Sequence, residues 1–393
     1  MIHRSKKWPL LIILSFSLLY LFGCWSNKDL IQMAFVTGVG LDKTEDNKFE
    51  LTLQIVKPAV VGAKEGGKPT ESPVWIYSTK GDTVFEAVRS QLTTVNRKPF
   101  YSHVQLIIIG EKLAKEGIGD VLDVFERDYE PVLSSGILIA KGTTAKEILT
   151  AKSELEDIPV SHIRDIMKNI QANPVIEEVD LINLFKQLST PGQSATIGVV
   201  EIVKKASPLN IKDLQVHGSA VFKKDRLIGW LKPIETMGYL YTQNKVKSGI
   251  INIPNPLDKN KFISIQRTAA DGKIDVQLSQ DHHLKWLVSI DAQGTLGEQQ
   301  GLGNLTTQQM LHVLEKEAGA AIQQQIQQVI HLAQKQYKSD IFGFGEKLYK
   351  KYPHIWNDLS DDWHDYFSDI VVEIQVDFKI KNTGLVTKPL QAK

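Results

Sequence analysis

The order of apolar and polar positions predicts alternating strands and helices through the first half of the chain. Residues 34–41 are rich in β-branched and apolar side chains, residues 49–56 alternate in polarity, and the two are predicted to pair as a hairpin. Further strands are predicted at 74–78, 104–109 and 137–140. Helices are predicted directly after Thr83 and Thr144, which start capping-box patterns, and from Ile118, Ser161 and Glu177. This alternation favours a mixed sheet with helices packed on it.

The second half has longer strand and helix patterns. Segment 239–256 contains Ile-Pro and Asn-Pro pairs and is predicted to be an irregular, extended link. Apolar positions recur at three- and four-residue steps through 306–337, which predicts one long amphipathic helix. The predicted strands are 215–222, 227–231, 262–266, 274–278, 284–290 and 370–380. The sequence thus predicts a multi-domain α+β protein, with a mixed N-terminal sheet with helices and a C-terminal antiparallel sheet packed by the long helix.

The chain begins with a pattern that differs from all the rest. A cationic head with Arg4, Lys6 and Lys7 precedes an uncharged, mostly apolar run at 8–22. This run of about 15 residues is shorter than the ~20 that a membrane-spanning helix needs. A positive head followed by such a run is typical of a secretion signal, and an uncleaved membrane anchor is the alternative.

The only cysteine, Cys24, follows directly on this run. Leu21-Phe22-Gly23-Cys24 resembles a bacterial lipobox, in which the thiol receives a diacylglycerol and the chain is cut before the cysteine. Phe22 departs from the usual Ala, Ser or Thr. We predict cleavage between Gly23 and Cys24 and an S-diacylglycerol group on Cys24, because sulfur is a good nucleophile and two acyl chains suffice for stable anchoring. The sequence leaves open whether Cys24 also gains an amide-linked acyl chain.

Composition excludes several classes of protein. The 393 residues include 46 Lys and Arg against 45 Asp and Glu, a formal net charge of +1. Such a balance argues against general nucleic-acid binding, which needs a concentrated cationic face. One cysteine excludes an internal disulfide, and no Cys/His cluster has the spacing of structural zinc.

Five segments carry residue types that catalytic, nucleotide or metal sites use. His282-His283 point to opposite faces if they lie on a strand, and His103 lacks the partners of a hydrolase triad. The glycine-rich segments 297–303 and 343–345 lack the context of a dinucleotide or phosphate loop. The acidic segment 361–365 is typical of a solvated helix face, and a metal site is the alternative. We therefore predict no enzyme activity, no cofactor and no metal site.

Long segments in a fixed order resemble the spore germination C-subunit lipoproteins, the Ger(x)C family. The similar segments are Cys24-Trp25 with VTGVGLDK (36–43), NRKPFYSHVQLIIIGEKLAKEGI (96–118), AVFKKDRLIGWL (220–231) and SDIFGFGEKLYKKYPHIWNDLSDDWHDYF (339–367). They span nearly the whole mature chain, which makes the resemblance far more specific than one short motif. Ser26-Asn27-Lys28, where more charge would be expected, departs from the pattern.

The resemblance implies a non-enzymatic subunit of a nutrient germinant receptor, needed for nutrient-triggered spore germination. It implies attachment through lipidated Cys24 to the outer surface of the spore inner membrane, with integral-membrane A-type and B-type subunits as partners. The alternative from a different class is a solute-binding lipoprotein of a transporter, which needs two similar lobes about a hinge. The predicted divisions are a signal peptide at 1–23, an N-terminal domain at 24–192, a middle hairpin-containing region at 193–256 and a C-terminal domain at 257–393.

Overall fold

The computed structural model describes most of the chain after residue 32. The described residues are 33–58, 60, 71–127, 133–151, 156–170, 172, 174–204 and 212–383. The predicted signal peptide, Gly23 and Cys24 lie outside them, as does most of the predicted loop 57–72. Among the described residues, no helix combines the length and the apolar character that crossing a bilayer requires.

The first sheet comprises nine strands in the described part of the chain. They are β1 (Met33–Lys43), β2 (Phe49–Val56), β3 (Val74–Gly81), β4 (Lys98–Phe100), β5 (Leu106–Gly110), β6 (Gly136–Lys141), β7 (Thr196–Lys204), β8 (Lys212–Lys223) and β9 (Arg226–Leu231). The order is β3-β2-β1-β5-β6-β7-β8-β9, with β4 beside the start of β1. Strands β1, β4, β5, β6 and β7 run parallel, and the others pair antiparallel. Strand β5 is buried along its whole length, as its unbroken apolar sequence requires at the centre of a parallel region.

Helices cover both faces of the first sheet. They are α1 (Val84–Ser90), α2 (Glu111–Glu116), α3 (Gly119–Arg127), α4 (Ala145–Thr150), α5 (Pro159–Ile170) and α6 (Leu181–Ser189). Apolar side chains of α1, α2, α3 and α6 share one core with the sheet. Those of α4 and α5 share the other. Single-turn 3₁₀ helices occur at Gln91–Thr93 and Tyr101–His103.

The start of α4 is fixed by a carboxylate from β1. The side chain of Asp42 accepts hydrogen bonds from the backbone N–H groups of Ala145 (2.8 Å) and Lys146 (3.0 Å). Thr144 and Glu147 form the predicted capping box on the same turn. Burial raises the pKa of Asp42 to about 6, although these backbone donors oppose the shift.

The second sheet comprises four strands among the residues that the structure describes. They are β10 (Gly249–Asn255), β11 (Asp258–Leu278), β12 (Leu284–Gln299) and β13 (Val372–Asn382), hydrogen-bonded in that order. The first three pair antiparallel, whereas β13 runs parallel to β12. The associated helices are α7 (Pro233–Thr242), α8 (Gln308–Leu332), α9 (Phe344–Lys351), α10 (Pro353–Leu359) and α11 (Trp363–Asp369). A π-helical turn at Ala333–Tyr337 extends α8.

Helix α8 packs on this sheet and covers the edge strand β13. Its buried stripe includes Leu314, Ala318, Ile322, Ile326 and Val329, the three- and four-residue spacing that the sequence shows. The backbone N–H of Ile380 donates to Glu315 (2.9 Å), and Gln323 donates to the carbonyl oxygen of Ile374 (3.2 Å). Side chains of α8 thus provide hydrogen-bond partners for backbone groups of the edge strand β13.

The structure confirms the α+β class and corrects three predicted details. Segment 239–256 is not an irregular link, because it contains the end of α7 and all of β10. The two strands predicted at 262–266 and 274–278 are one strand, β11. The second sheet is not wholly antiparallel, because β13 pairs parallel with β12. The predicted domain divisions stay predictions, although the first sheet continues past residue 193 through β7, β8 and β9.

Candidate functional site at the junction of the two sheets

The loop after α8 joins the two sheets through one buried carboxylate. Asp340 is fully buried, and its carboxylate accepts hydrogen bonds from the backbone N–H groups of Phe342 (3.1 Å), Gly343 (3.0 Å) and Gly345 (2.8 Å). The indole N–H of Trp363 also donates to it, at 3.2 Å. Four donors on one carboxylate fix the shape of the loop between α8 and α9.

The backbone of the same loop binds the first sheet. The backbone N–H of Ser194, just before β7, donates to the carbonyl oxygen of Asp340 at 2.8 Å. The hydroxyl of Ser339 donates to the carbonyl oxygen of Phe222 at the end of β8, also at 2.8 Å. The hydroxyl of Tyr337 donates to the carbonyl oxygen of Trp230 on β9 at 2.8 Å. The segment at 337–340 therefore connects α8 to three neighbouring strands of the first sheet.

Burial changes the acid–base behaviour of this junction. It raises the pKa of Asp340 to about 6, and the backbone and indole donors only partly offset that rise. The carboxyl group therefore binds a proton more readily in the folded chain than in an exposed position.

Aromatic rings surround the Asp340 loop. Phe344 lies 5.6 Å from Trp286, 5.7 Å from Phe342 and 6.1 Å from Phe367, centroid to centroid. Trp363 lies 5.8 Å from Trp286. Such aromatic pairs stabilise a fold by more than the burial of their apolar area alone. Phe342, Phe344, Trp363 and Phe367 belong to the segment 339–367 that resembles the Ger(x)C family, so the structure gives that segment the role of a junction core.

Two polar pairs cross the junction beside α7. The hydroxyl of Thr196 on β7 donates to that of Tyr239 on α7 at 2.9 Å. The ammonium of Lys245 contacts the fully buried carboxylate of Glu177 at 2.5 Å. Burial raises the pKa of Glu177, and Lys245 acts in the opposite direction. The second carboxylate oxygen of Glu177 has no hydrogen-bond partner among the described residues.

A solvent-open cavity of about 410 Å³ lies next to the Glu177–Lys245 pair. It is lined by Ile170, Pro174, Ile176, Glu178, Leu240, Asn244, Lys245 and Lys247. The first four residues belong to the first sheet and its connections, and the others belong to α7 and the chain after it. The lining thus carries both signs of charge, from Glu178 and from Lys245 and Lys247.

The histidines that the sequence analysis weighed as catalytic or metal-binding candidates lie in a turn and in an aromatic contact. His282, with positive φ, and His283 lie in the turn between β11 and β12, not on a strand. His103 stacks at 5.3 Å on Phe35. The described residues contain no group of three or more His, Cys, Asp or Glu arranged to hold a metal ion. Gly23 and Cys24 lie outside the described residues, so their predicted lipidation and cleavage stay predictions.

Sequence reasoning missed the buried charges at the junction. Asp340, Glu177 and Arg267 are polar positions whose burial depends on contacts between distant segments. For Asp340, the available signal was its place between Ser339 and the glycines at 343 and 345, in a segment rich in aromatic residues.

Two sequence profiles match this chain. The spore germination protein N-terminal domain matches residues 26–202, and the spore germination B3/GerAC-like C-terminal domain matches residues 217–384. Together they cover most of the chain, including both sheets and the junction. These matches define the class as a spore germination protein, and this chain belongs to the Ger(x)C family.

Relatives match along the full length. Spore germination protein KC of Bacillus subtilis (strain 168) is 28% identical, over 98% of this chain and 98% of its own. Spore germination protein B3 of the same organism is 26% identical, over 96% and 98%. The crystal structure of the GerBC protein superposes with a TM-score of 0.57 at 22% identity, covering 89% of this chain and 99% of that one. That structure shares the fold.

Proposed function

We propose that this protein is a lipid-anchored subunit of a nutrient germinant receptor, which acts through protein contacts and not through catalysis. The observation that carries the proposal is the full-length similarity to spore germination proteins KC and B3. The lipobox-like Leu21-Phe22-Gly23-Cys24 adds a means of attachment to the outer surface of the spore inner membrane.

The arrangement of the folded part is compatible with a rigid scaffold. The two sheets meet through the Asp340 loop, the Tyr337–Trp230 contact and an aromatic core. A body held in this way presents its surfaces in fixed relative positions, as a subunit that works by contact requires. We propose the integral-membrane A-type and B-type receptor subunits as its partners.

The solute-binding alternative requires two similar lobes about a hinge. The two sheets described here differ in strand number and in topology, and the junction between them is hydrogen-bonded and apolar. Calorimetry on the detergent-solubilised full chain with a nutrient panel tests this alternative directly. Tight binding by the isolated protein would favour a solute-binding role and count against a subunit that acts only by contact.

The anchoring step is tested with Cys24→Ala in sporulating cells. We expect the variant to leave the inner-membrane fraction and to impair nutrient-triggered germination, because the only thiol that can carry the lipid is removed. Phe22→Ala is the matched control, since it brings the lipobox to its usual form and should retain the protein. Normal membrane retention and normal germination in Cys24→Ala would contradict the proposal.

Assembly is tested separately from anchoring. Purification of the tagged full chain from spore inner membranes should recover A-type and B-type subunits, and intact-mass measurement of the same sample should show the acylated cysteine. Recovery of the acylated chain without either integral-membrane subunit would contradict the receptor role while leaving the anchor intact.

A further inference from the structure

The first sheet has two chemically different ends. Strands β1, β4, β5 and β6 are parallel, so their amino ends lie at the same edge, next to the carboxyl end of β2 and the amino end of β3. We define the amino-end rim as Trp75, Leu92, segment 96–105, Leu133 and Ile182. Four exposed large apolar side chains occur on it, at Trp75, Leu92, Leu133 and Ile182.

Contacts make the rim continuous. The backbone N–H of Ile182 donates to the carbonyl oxygen of Leu133 at 3.2 Å, which brings the start of α6 beside the start of β6. The hydroxyl of Ser135 then donates to the carbonyl oxygen of Val104 at 2.8 Å, next to His103. From β3 to β6 the sheet takes four strand steps, which at ~4.8 Å each span about 20 Å.

The centre of the rim combines aromatic and cationic side chains. Phe100 lies 6.1 Å from Phe35 and 5.4 Å from His103. Tyr101 donates its hydroxyl hydrogen to Gln91 at 3.1 Å, which connects this centre to Leu92. Segment 96–105 contains Arg97, Lys98 and His103 and no Asp or Glu. A segment that combines aromatic rings with cations and has no acidic residue of its own has a composition that favours a lipid headgroup layer.

Carboxylates occur on either side of this centre. Glu71 pairs with Lys57 at 3.2 Å. Asp180 accepts a hydrogen bond from the backbone N–H of Asn183 (2.8 Å) at the start of α6. Both are thus engaged in local contacts, and the acid-free segment lies between them along the edge.

The opposite end of the sheet is polar and charged. Its turn at 44–48 carries Glu45, which pairs with Lys112 at 3.1 Å, and Lys48, which pairs with Asp82 at 3.5 Å. Phe85 is exposed there, but its ring lies under the guanidinium of Arg89 at 4.9 Å. One end of the sheet is thus apolar and basic, and the other carries both signs of charge. A sheet with two such different ends is expected to take a preferred orientation at a membrane surface.

The length of chain between Cys24 and β1 indicates which end of the first sheet lies nearer to the membrane. Cys24 precedes Met33 by nine positions, and an extended chain of that length reaches at most about 30 Å. Met33 pairs with Lys98, so the chain enters the fold at the rim itself. A lipid on Cys24 would therefore hold the bilayer within reach of the amino-end rim and farther from the charged end.

We propose that the amino-end rim rests on the lipid bilayer, with Leu92, Leu133 and Ile182 in the headgroup layer and Arg97 at lipid phosphates. This proposal rests on the anchoring proposed above. It adds an orientation: the charged end of the first sheet faces away from the membrane and is open to partner proteins.

The test uses the acylated full chain in vesicles of phosphatidylglycerol and phosphatidylethanolamine. Because Cys24 is the only cysteine and its sulfur carries the lipid, Leu92→Cys or Ile182→Cys adds one thiol for a nitroxide label. Phe85→Cys is the matched control, since Phe85 is 48% exposed, Leu92 50% and Ile182 51%. Collisions of each label with oxygen, which concentrates in lipid, are compared with collisions with a water-soluble nickel chelate.

We expect labels at positions 92 and 182 to lose access to the nickel chelate and keep access to oxygen on vesicle binding, while the label at 85 keeps both. Equal nickel access at all three positions on vesicle-bound protein would overturn the orientation and leave the anchor standing. Loss of access to both reagents at 92 and 182 would overturn it in favour of a protein partner. Failure of the acylated chain to sediment with vesicles would overturn the anchor and the orientation together.

Discussion

Gly192 and Gly345 pass each other at the junction with no room for a side chain on either. A methyl group on Gly345 would lie 2.6 Å from the Cα of Gly192, and one on Gly192 would lie 2.6 Å from the Cα of Gly345. Gly192 follows α6, and Gly345 lies in the first turn of α9. This close passage of the backbone at the junction thus depends on two glycines.

Gly345→Ala should destabilise the protein by overpacking the junction. We expect the free energy of unfolding to fall by about 1–3 kcal/mol, the cost of forcing one extra carbon into a filled interior. Gly345 has a helical backbone, so alanine adds no backbone strain and the effect reports on packing. Gly297→Ala is the control, because its methyl group would meet only ordinary contacts, the nearest at 3.4 Å. Equal unfolding midpoints for the two variants in urea would contradict this prediction.

The buried carboxyl groups should make stability depend on pH between about 4 and 6. The folded-state pKa of Asp340 is about 6, above its ordinary value of 3.8, so the folded chain binds this proton more tightly than the unfolded chain. The resulting stabilisation is complete below the unfolded-state pKa and is lost as pH rises through about 6. Linkage limits the slope for one such group to about 1.4 kcal/mol per pH unit.

Asp340→Asn should flatten that dependence, and unfolding in urea at several pH values measures it. Asp42 has a pKa raised to about 6 in the same direction, so part of the slope remains in the single variant. Asp42→Asn combined with Asp340→Asn should remove both contributions. A double variant with the same pH slope as the unmodified protein would show that neither carboxyl group titrates in this range.

Local patterns predicted those elements whose own residues determine them. Strand β2 has the bounds that its alternating pattern indicated, 49–56, and its antiparallel pairing with β1 followed from the short turn between them. The long helix was predicted from its apolar stripe, and Thr307, one residue later than expected, caps its start. Here short-range spacing and capping chemistry suffice.

Elements that depend on distant contacts were not predictable in the same way. The alternation in β13 is the same for parallel and antiparallel pairing, so the pattern could not reveal that α8 and the helices after it form a crossover to a parallel strand. Residues 268–272 resemble a turn, yet β11 continues through them with a register shift beside Arg267. At 239–256, Pro254 is tolerated because β10 is an edge strand.

Dependence on distant contacts also explains why the buried Glu177–Lys245 pair at the junction was not predicted. Glu177 was predicted to start a helix, but α6 begins at Leu181, and Glu177 instead lies buried against Lys245. These two residues are 68 positions apart, so no local pattern could join them.

Lys245→Met should destabilise the protein by leaving the Glu177 carboxylate buried without its cation. We expect a loss of about 1–3 kcal/mol in the free energy of unfolding at pH 7, towards the lower end because Lys245 is partly exposed. The loss should shrink at lower pH, because removing Lys245 raises the pKa of Glu177 further and the neutral form tolerates burial.

Two further variants test whether the loss of stability comes from the Glu177–Lys245 ion pair or from any change at the cavity surface. Lys247→Met removes a lysine that lines the same cavity and should leave stability nearly unchanged. Glu177→Gln combined with Lys245→Met should recover part of the loss, because the buried charge is gone. If Lys247→Met were as damaging as Lys245→Met, the cost would belong to the cavity surface and not to the ion pair.

Tyr241→Phe should reveal the value of a hydrogen bond to a buried cation. Arg267 is fully buried on β11, its guanidinium lies 4.8 Å from the ring centre of Tyr241, and it donates to the Tyr241 hydroxyl and to the carbonyl oxygen of Ser248. Burial lowers the pKa of Arg267, because removal from water disfavours the charged form. Phenylalanine keeps the ring beneath the cation and removes only the acceptor, so we expect a loss of about 1.5–3 kcal/mol in urea unfolding.

The exposed Tyr349→Phe serves as control for that measurement and should have little effect. The decisive comparison is Tyr241→Phe in an Arg267→Met background. If the hydroxyl acts through the guanidinium, its removal should cost much less there than in the unmodified chain, because the charged donor is already absent. An equal cost in both backgrounds would mean that the Tyr241 hydroxyl stabilises the second sheet independently of Arg267.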